Sequence, residues 1–273
     1  MKKILAFMLT LALVLSFAAC NTPDEGKETP TGTPAGTPAA PADDPTVKSD
    51  GVMTHAEYMA AELDAAVVIE AYVQAKQSWW NNQCTVYLAD ADGAYLAYNM
   101  ACSEADYAKL VKGAKIRVTG NKTEWSGEIE VAEGATFELL EGNYVAPIFD
   151  ATSLLTNTDE LIKHQNEFVS FKGLTVAASK DKDGNDVAFL YNWDGSGAAG
   201  SDSDLYFNVS FGDQTFQFVV EYYVCDANGV YGADTAAYKA VQALKIGDVI
   251  DLEGFLYWYN GVNPHITSVT VVS

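Results

Sequence analysis

Residues 112–127 read KGAKIRVTGNKTEWSG, and residues 246–261 read IGDVIDLEGFLYWYNG. In both stretches the glycines are seven residues apart, and an alternating apolar pattern typical of a β-strand separates the first two. An aromatic residue, Trp125 or Tyr259, stands two positions before the third glycine. All these positions correspond at an offset of 134 residues. Two such frames with matched flanks indicate that one domain occurs twice in the chain.

The residues before each frame also repeat a pattern, in which apolar runs typical of strands precede a helical segment. In the first half the predicted strands are Val67–Val73, Thr85–Leu88 and Tyr95–Met100. In the second half they are Phe168–Val176, Val187–Tyr191 and Leu205–Val224, the last long enough to bend or bulge. Between the second and third strands, hairpin turns are predicted at Asp92-Gly93 and Asp194-Gly195. Helical segments are predicted at His55–Leu63, Ser103–Leu110, Asp159–Gln165 and Asp234–Leu244.

Each half therefore contains three strands, a helix and two strands, an order that resembles the OB-fold, a partly open Greek-key barrel. The stretches Val73–Lys76, Tyr87–Asp90 and Ile116–Gly120 look like parts of the OB-fold domains of secreted bacterial proteins. We predict an all-β chain with short accessory helices, folded as two tandem five-stranded OB-fold-like Greek-key barrels over 51–142 and 143–273. An immunoglobulin-like sandwich is the competing fold, but the interposed helices argue against it.

The first twenty residues predict export and lipidation. A positive start precedes the apolar run Ile4–Phe17, which is too short to span a membrane and is typical of a secretory signal. Small residues before Cys20 resemble the cleavage box of bacterial lipoproteins, in which this cysteine is acylated. An ordinary signal peptide that contains a cysteine is the alternative. Residues 21–50 are rich in Thr, Pro and Ala and predict a disordered tether.

The composition predicts a folded and strongly acidic protein. Of the 273 residues, 49% are hydrophobic, which is enough to bury a sizeable core. Sixteen Lys and Arg residues against 37 Asp and Glu residues give a net charge of -21. Affinity for nucleic acid rests mainly on cationic side chains that displace counterions from phosphates. The acidic charge therefore disfavours nucleic acid as a partner.

OB-fold barrels bind ligands on the face of strands 2 and 3, between the loops that join strands 1–2 and 4–5. In the first half, the former loop carries Trp79, Trp80, Asn81 and Asn82, and the latter carries Trp125. Aromatic planes beside amides suit sugar rings or stacked bases, so we predict that these residues bind ligand. The alternative is that the tryptophans pack inside the barrel.

Two tyrosines of strands 2 and 3 are predicted to join this platform. The prediction assumes that the apolar alternation places four side chains inside the barrel, namely Val86, Leu88, Leu96 and Tyr98. Successive side chains of a strand point to opposite faces, so Tyr87 and Tyr95 then point outward on the ligand face.

The second half offers a different set of candidate residues. Its loop between strands 4 and 5 carries Tyr257, Trp258 and Tyr259, which we predict to contact a ligand, with Trp258 facing opposite to its neighbours. Its predicted strand 1–2 loop places three carboxylates around a glycine turn, at Asp181, Asp183 and Asp186. Such oxygens are ligands for Ca²⁺, which is the one candidate cofactor. A hairpin loop of this composition also needs no metal to explain it.

The remaining titratable residues form no catalytic pattern. The three histidines are scattered, and the sequence has no nucleophile elbow, phosphate loop or dinucleotide fingerprint. We therefore predict that the chain is not an enzyme, although hydrolysis by paired acids is a further hypothesis without support. Cys84 and Cys102 would form a disulfide after a small bulge, or remain buried thiols together with Cys225.

These observations predict a non-catalytic binding protein, lipid-anchored through Cys20 on the extracytoplasmic face of the bacterial cell membrane. It would capture a carbohydrate or another surface ligand through an aromatic OB-fold face. A structural or protein–protein interaction module at the cell surface is the alternative function. Binding of single-stranded nucleic acid is a weaker alternative.

Overall fold

The structure is a computed structural model that describes residues 44–272, which belong to one compact unit. The first part of the chain forms α1 (His55–Ala60), β1 (Ala66–Lys76), β2 (Gln83–Ala89), β3 (Ala94–Ala101), α2 (Glu104–Tyr107), β4 (Ala114–Trp125), β5 (Glu128–Val131) and β6 (Thr136–Asn143). Strands pair in the closed order β1–β2–β3–β5–β4–β1, and β6 adds to β4. All pairs are antiparallel except β3 with β5. The first half is therefore a closed five-stranded barrel.

The second part repeats this topology with additional short elements. Its elements are β7 (Phe149–Asp150), α3 (Thr158–Leu161), β8 (Phe168–Ala177), β9 (Ser179–Lys180), β10 (Asp186–Val187), β11 (Leu190–Tyr191), β12 (Leu205–Phe211), β13 (Gln214–Val220), α4 (Ala236–Ala243), β14 (Val249–Phe255) and β15 (His265–Val271). Short 3₁₀ helices occupy Thr152–Thr156, Ile162–His164 and Gly232–Asp234. The closed order is β8–β12–β13–β15–β14–β8. The predicted fold class, two tandem five-stranded barrels with short helices, is confirmed.

The second barrel differs from the prediction in its second and third strands. The run Leu205–Val224 is a hairpin, β12 and β13, which turns at Gly212-Asp213. The predicted strand Val187–Tyr191 lies instead in a long connection between β8 and β12, where it forms only two-residue strands. The turn at Asp194-Gly195 therefore does not join barrel strands. Gly212-Asp213 was interpreted as a bulge within one long strand, because a glycine inside a strand pattern often marks a bulge.

The repeated glycines have the same role in both barrels. Gly113 and Gly247 precede β4 and β14 with φ of +91° and +95°, a conformation that favours glycine. Gly120 and Gly254 lie within these strands, where an added Cβ would stand 2.7 Å from Val131 Cγ1 or 2.3 Å from the His265 carbonyl oxygen. The same glycine spacing therefore occurs in both halves because each barrel needs a turn before this strand and, within the strand, a residue without a side chain where a neighbouring segment packs closely against the backbone.

Each barrel has its own apolar core, and a smaller cluster joins the two. The core of the first contains Ile69, Val86 and Tyr95, and that of the second contains Phe171 and Phe218. The joining cluster consists of Tyr87, Leu96, Val224 and Phe255. Its side chains are almost fully buried, so the barrels are packed directly against each other.

The N-terminal predictions fall mostly outside the described residues. The signal segment 1–20, the lipidation site Cys20 and most of the tether 21–50 precede residue 44. Lys48 lies within the predicted tether, yet its Nζ forms an ion pair with the buried Asp90 and donates to the Glu70 carbonyl at 2.8 Å. The packed chain therefore includes Lys48. Among residues 44–272, no helix is long and apolar enough to cross a membrane.

Candidate ligand-binding site

The ligand face predicted for the first barrel is covered by the second barrel. Tyr87 pairs with Leu96 across β2 and β3, and both side chains point away from the barrel core, into the joining cluster. The Tyr87 ring stacks on Phe255 with 4.3 Å between the centroids, and only 1% of Tyr87 is exposed. The prediction that Tyr87 contacts ligand is therefore wrong, because the partner of this face is the second barrel.

Tyr95 also does not contact ligand, for a different reason. The structure pairs Leu88 with Tyr95, so the two side chains share one face of the sheet, and both lie in the core of the first barrel. The Tyr95 hydroxyl donates to Asp90 Oδ2 at 2.7 Å. The alternation in β3 therefore has the opposite phase from the prediction, with Leu96 rather than Tyr95 directed outward.

The corresponding face of the second barrel is open and forms a cleft of about 640 Å³. We call it the aromatic cleft. Five aromatic residues line it: Trp125, Trp193, Tyr206, Tyr257 and Tyr259. Its polar residues are Asp204, Gln217, Glu221, Asn260, Asn263 and His265. A concave site of this size, with rings and a few convergent polar groups, is typical of small-ligand sites.

Strand alternation directs the floor of the aromatic cleft outward. Phe207 pairs with Phe218 inside the barrel, and the next pair, Tyr206 with Val219, therefore faces the opposite side. Gln217 lies two residues before Val219 in β13 and shares its face. The hairpin that the sequence analysis missed thus supplies the floor of the site.

The first barrel contributes one wall of the aromatic cleft through its β4–β5 turn. Trp125 ends β4 and is 60% exposed. The turn is fixed against the second barrel, because Asn260 donates its backbone N–H to the Ser126 carbonyl at 2.7 Å. Trp125 therefore faces the loop that carries Tyr257 and Tyr259, and the two predicted aromatic groups meet here.

Trp258 holds this junction together and is not available to ligand. It is only 9% exposed, and its indole ring covers Gly127, where a Cβ would stand 2.8 Å from Trp258 Cδ1. Its backbone N–H donates to Glu128 Oε2 at 2.8 Å. The predicted opposite orientation of Trp258 is what the structure shows, but its predicted contact with ligand is wrong.

A polar network of both barrels forms the back of the aromatic cleft. His265 Nδ1 lies 3.1 Å from Glu221 Oε2 and 2.5 Å from the Tyr87 hydroxyl. Gln77 of the first barrel donates its amide to Glu221 Oε1 at 2.5 Å. The Tyr257 ring stacks on His265 at 4.2 Å. These contacts fix the orientation of Glu221 and Tyr257 before any ligand arrives.

The two carboxyl groups of the aromatic cleft have pKa values displaced in opposite directions. Burial raises the pKa of Asp204, and the negative charge of Glu221 raises it further. The hydrogen bond that the Tyr222 N–H donates to Asp204 at 2.7 Å lowers this pKa, but by less than burial raises it. Burial would raise the pKa of Glu221 too, but His265 and hydrogen bonds from Gln77 and Tyr87 hold it below its ordinary value. Burial, with the nearby carboxylates, raises the pKa of Tyr206 to about 12.

A second cleft, of about 460 Å³, lies where the β1–β2 turn meets the chain after β13. We call it the junction cleft. Its aromatic residues are Trp79, Trp80, Tyr223 and Tyr231, and its polar residues include Gln77, Gln83, Asn99 and Asp202. Trp80 is 72% exposed, whereas Trp79 is half-buried and donates its Nε1–H to the Cys102 carbonyl at 2.9 Å. The predicted platform of Trp79, Trp80 and Trp125 is therefore divided between two clefts.

Asn81 and Asn82 form a turn. Both have positive φ, +49° and +61°, and Trp80 and Gln83 exchange backbone hydrogen bonds across them at 2.9 and 3.1 Å. A two-residue turn with two positive φ angles favours Asn and Gly. Neither asparagine lines the junction cleft, so their predicted contact with ligand is not supported.

The acidic loop of the second half is stabilised by its own hydrogen bonds. Asp181 Oδ1 accepts from the N–H groups of Asp183 and Asn185 at 2.9 and 2.8 Å. Asp186 pairs with Lys180 at 2.7 Å. Within the described part of the chain, no group of three or more His, Cys, Asp or Glu side chains is arranged to hold a metal ion. The structure therefore does not bring Asp181, Asp183 and Asp186 together as a site.

The three described cysteines, Cys84, Cys102 and Cys225, are buried and free. Burial raises the pKa of each thiol, so none has the thiolate character of a reactive cysteine. The Cys84–Cys102 disulfide is not formed.

Sequence reasoning missed most of the floor and back of the aromatic cleft: Trp193, Asp204, Tyr206, Glu221 and His265. Tyr206 and Glu221 become recognisable once Gly212-Asp213 is taken as a turn, because alternation then places them outside the barrel. Trp193 lies in the connection between β8 and β12, where no periodic pattern predicts its position.

Neither known protein families nor curated proteins match this sequence. Some solved structures are similar to this chain at a low level. The HINa domain of Ifi202 in complex with 20-bp dsDNA is 11% identical, with a TM-score of 0.32 over 76% of this chain and 97% of that domain. A murine DNA-binding protein bound to dsDNA is 12% identical, with a TM-score of 0.31 over 77% and 99%. An aspartyl tRNA synthetase from Entamoeba histolytica is 17% identical, with a TM-score of 0.27. The match covers 40% of this chain and 26% of that enzyme.

These neighbours correct one expectation from the sequence. The net charge led us to disfavour nucleic acid as a partner, but two of these neighbours are described with bound dsDNA. The expectation that disfavoured nucleic acid on charge alone is therefore withdrawn. At TM-scores near 0.3 the neighbours carry no argument about what this chain itself binds.

Proposed function

We propose that the protein is a non-catalytic binding protein and that its aromatic cleft takes an uncharged glycan. The observation that carries this proposal is the lining of the cleft, where five aromatic rings accompany carboxylate, amide and imidazole groups. Among the described residues that line it, none is Lys or Arg. Sugar rings offer apolar faces to aromatic planes and hydroxyl groups to carboxylates and amides. An uncharged chain needs no cationic partner.

Three rings are free to stack on such a ligand. Trp193 is 70% exposed, Trp125 60% and Tyr259 51%, so their faces are accessible without unfolding. Large aromatic surface in solvent is rare on a protein unless it serves recognition. Glu221 and His265 are held in place behind these rings, which lowers the entropic cost of binding.

The position of the two carboxyl groups supports binding rather than hydrolysis. Leu205 pairs with Val220, so Asp204 and Glu221 are the next cross-strand neighbours and stand on one wall of the cleft. Glycosidases place their two carboxyl groups on opposite sides of the scissile bond. In addition, Asp204 accepts the Tyr222 N–H and Glu221 accepts from Gln77, as expected for groups that shape a site.

The cellular location belongs to the same proposal and rests on the sequence. A signal-like segment followed by small residues and Cys20 supports export and acylation, and the Thr-, Pro- and Ala-rich stretch after it supports a tether. The barrels would then be displayed from the extracytoplasmic face of a bacterial membrane. Incorporation of labelled palmitate into the wild-type chain, and its loss in Cys20→Ser, is the expected result.

Isothermal titration with neutral oligosaccharides tests the proposed ligand class. The probes are trisaccharides of the cello-, xylo-, malto- and chito-series, with single- and double-stranded DNA titrated in parallel. Trp193→Ala is expected to weaken binding of the best trisaccharide about tenfold, because the apolar surface buried between one indole face and a sugar ring is worth on the order of 1–2 kcal/mol. Tyr98→Ala is the control, since it removes an aromatic ring that is 41% exposed and lines neither cleft.

Three results contradict the proposal. If heat is released only with DNA, the ligand is a nucleic acid and not a glycan. No response to any probe would leave the protein–protein interaction module as the function to pursue. New reducing ends during incubation with a bound oligosaccharide would make the protein an enzyme.

A further inference from the structure

The junction cleft has the same chemistry as the aromatic cleft. Its exposed rings are Trp80, Tyr223 and Tyr231, at 72%, 41% and 46% exposure. Amides of Gln83 and Asn99 accompany them. The described residues that line this second cleft also include no Lys or Arg. Rings, amides and one acidic group again suit an uncharged, hydroxyl-rich ligand.

The two clefts share a wall. Asp202 lines the junction cleft and Asp204, two residues later, lines the aromatic cleft. On the facing segment, Glu221 lines the aromatic cleft and Tyr223 lines the junction cleft. The Tyr223 hydroxyl donates to Asp202 Oδ2 at 3.4 Å, which fastens the segments together.

Hydrogen bonds between the barrels fix the two clefts relative to each other. Gln77 lines the junction cleft, and its amide donates to Glu221 in the aromatic cleft at 2.5 Å. Ser78 donates its backbone N–H to the Tyr223 carbonyl at 2.8 Å, and Cys225 donates to the Lys76 carbonyl at 2.9 Å. A ligand that entered both clefts would meet a rigid surface, with little ordering cost.

We propose that the two clefts are one groove, and that its ligand is a linear glycan chain long enough to occupy both. This inference rests on the proposed function and specifies its ligand, a polysaccharide segment rather than a single sugar or disaccharide. The aromatic cleft holds one end of the segment. The junction cleft holds the continuing chain, and the shared wall of 202–204 and 221–223 lies beneath the linkage between them.

A chain-length series tests this inference with the full chain. Trisaccharides and hexasaccharides of the cello-, xylo-, malto- and chito-series are titrated against wild type, Trp80→Ala, Tyr231→Ala, Trp193→Ala and Tyr98→Ala. The hexasaccharide of the series that binds is expected to bind at least about tenfold more tightly than the trisaccharide, because further rings stack in the junction cleft. Thermal unfolding of each variant confirms that it is folded.

The variants distinguish the extended groove from the proposed glycan binding at the aromatic cleft. Trp80→Ala or Tyr231→Ala is expected to remove the hexasaccharide gain, so that the variant binds both lengths alike, whereas Tyr98→Ala, outside both clefts, is expected to keep the gain. Trp193→Ala is expected to weaken both lengths. Equal affinity for both lengths, or a hexasaccharide gain that survives Trp80→Ala and Tyr231→Ala, overturns the extended groove while the proposed function stands. Absence of binding at every length overturns both.

Discussion

Two carboxyl groups of β5 are buried where the first barrel meets the second. Glu128 is fully buried, accepts the Trp258 N–H through Oε2, and burial raises its pKa well above the ordinary value. Glu130 is 6% exposed, and burial raises its pKa to about 7. A carboxyl group that stays protonated in the folded chain makes stability depend on pH near neutrality.

We predict that stability falls as pH rises from about 5 to above 7. In this interval the folded chain retains a proton on Glu130 that the unfolded chain has released, so each step up in pH favours unfolding. Glu130→Gln is always neutral and is expected to unfold at higher urea concentration than wild type at pH 8. The gain is on the order of 1–2 kcal/mol after allowance for solvent screening. Urea unfolding at pH 5 and pH 8 measures it.

Glu124→Gln is the matched control for this pH effect. Glu124 lies on the neighbouring β4 and is exposed, so its replacement is expected to leave the pH dependence as in wild type. If Glu130→Gln keeps the wild-type slope between pH 5 and pH 8, Glu130 is not the group responsible.

At the level of single residues, the sequence predicted three of the aromatic residues that line the aromatic cleft, but it did not predict the direction of the tyrosine side chains in β2 and β3. Tyr257, Tyr259 and Trp125 do line the aromatic cleft. Tyr87 and Tyr95 do not, because a second barrel covers one and the phase of β3 buries the other. A strand with apolar side chains on both faces has no polar side to mark solvent, so alternation alone leaves its phase undetermined.

At the level of single elements, substitutions in the turn at Asn81 and Asn82 test whether these asparagines shape the turn or bind ligand. Asn82→Gly is expected to keep wild-type stability because glycine accepts a φ of +61° without strain. Asn82→Ala is expected to lose about 1 kcal/mol, since a Cβ is disfavoured in this conformation. Differential scanning calorimetry compares the two variants, and both should bind the best trisaccharide as wild type does. A loss of affinity in Asn82→Gly would return this residue to the ligand site.

The strands and helices show how far local pattern determines this fold. The glycine frames predicted β4 and β14 because the turn before each strand and the tight packing against the glycine within it both require glycine at a fixed position in the sequence. Helix α1 begins where Thr54 and Glu57 form reciprocal capping bonds, close to its predicted start at His55. The β12–β13 hairpin was missed because alternating apolar residues continue on both sides of Gly212-Asp213, so that the turn was interpreted as a bulge. The floor of the aromatic cleft was missed with it.

At the scale of the whole molecule, the barrels are joined too closely to unfold independently. The cluster of Tyr87, Leu96, Val224 and Phe255 is buried, and a backbone hydrogen bond from Asn260 to Ser126 crosses the same boundary. We predict one cooperative thermal transition, in which near-ultraviolet circular dichroism and tryptophan fluorescence change together. Two separated transitions would show that the barrels are stable as independent units.

The repeat also explains why one barrel holds the main cleft. The two barrels have the same strand order, and the face of the first that carries Tyr87 and Leu96 packs against the second. The face of the second remains open, and the β4–β5 turn of the first completes it with Trp125. No reasoning on one half alone predicts this, because the division of roles arises from the contact between the halves.

A crystal structure of the wild-type chain with the hexasaccharide that binds most tightly would show directly whether the aromatic cleft holds the glycan. We predict density for sugar rings against Trp193 and Tyr259 in the aromatic cleft, with hydroxyl groups within hydrogen-bond distance of Glu221. Density at another surface, with the aromatic cleft holding only water, would contradict the claim.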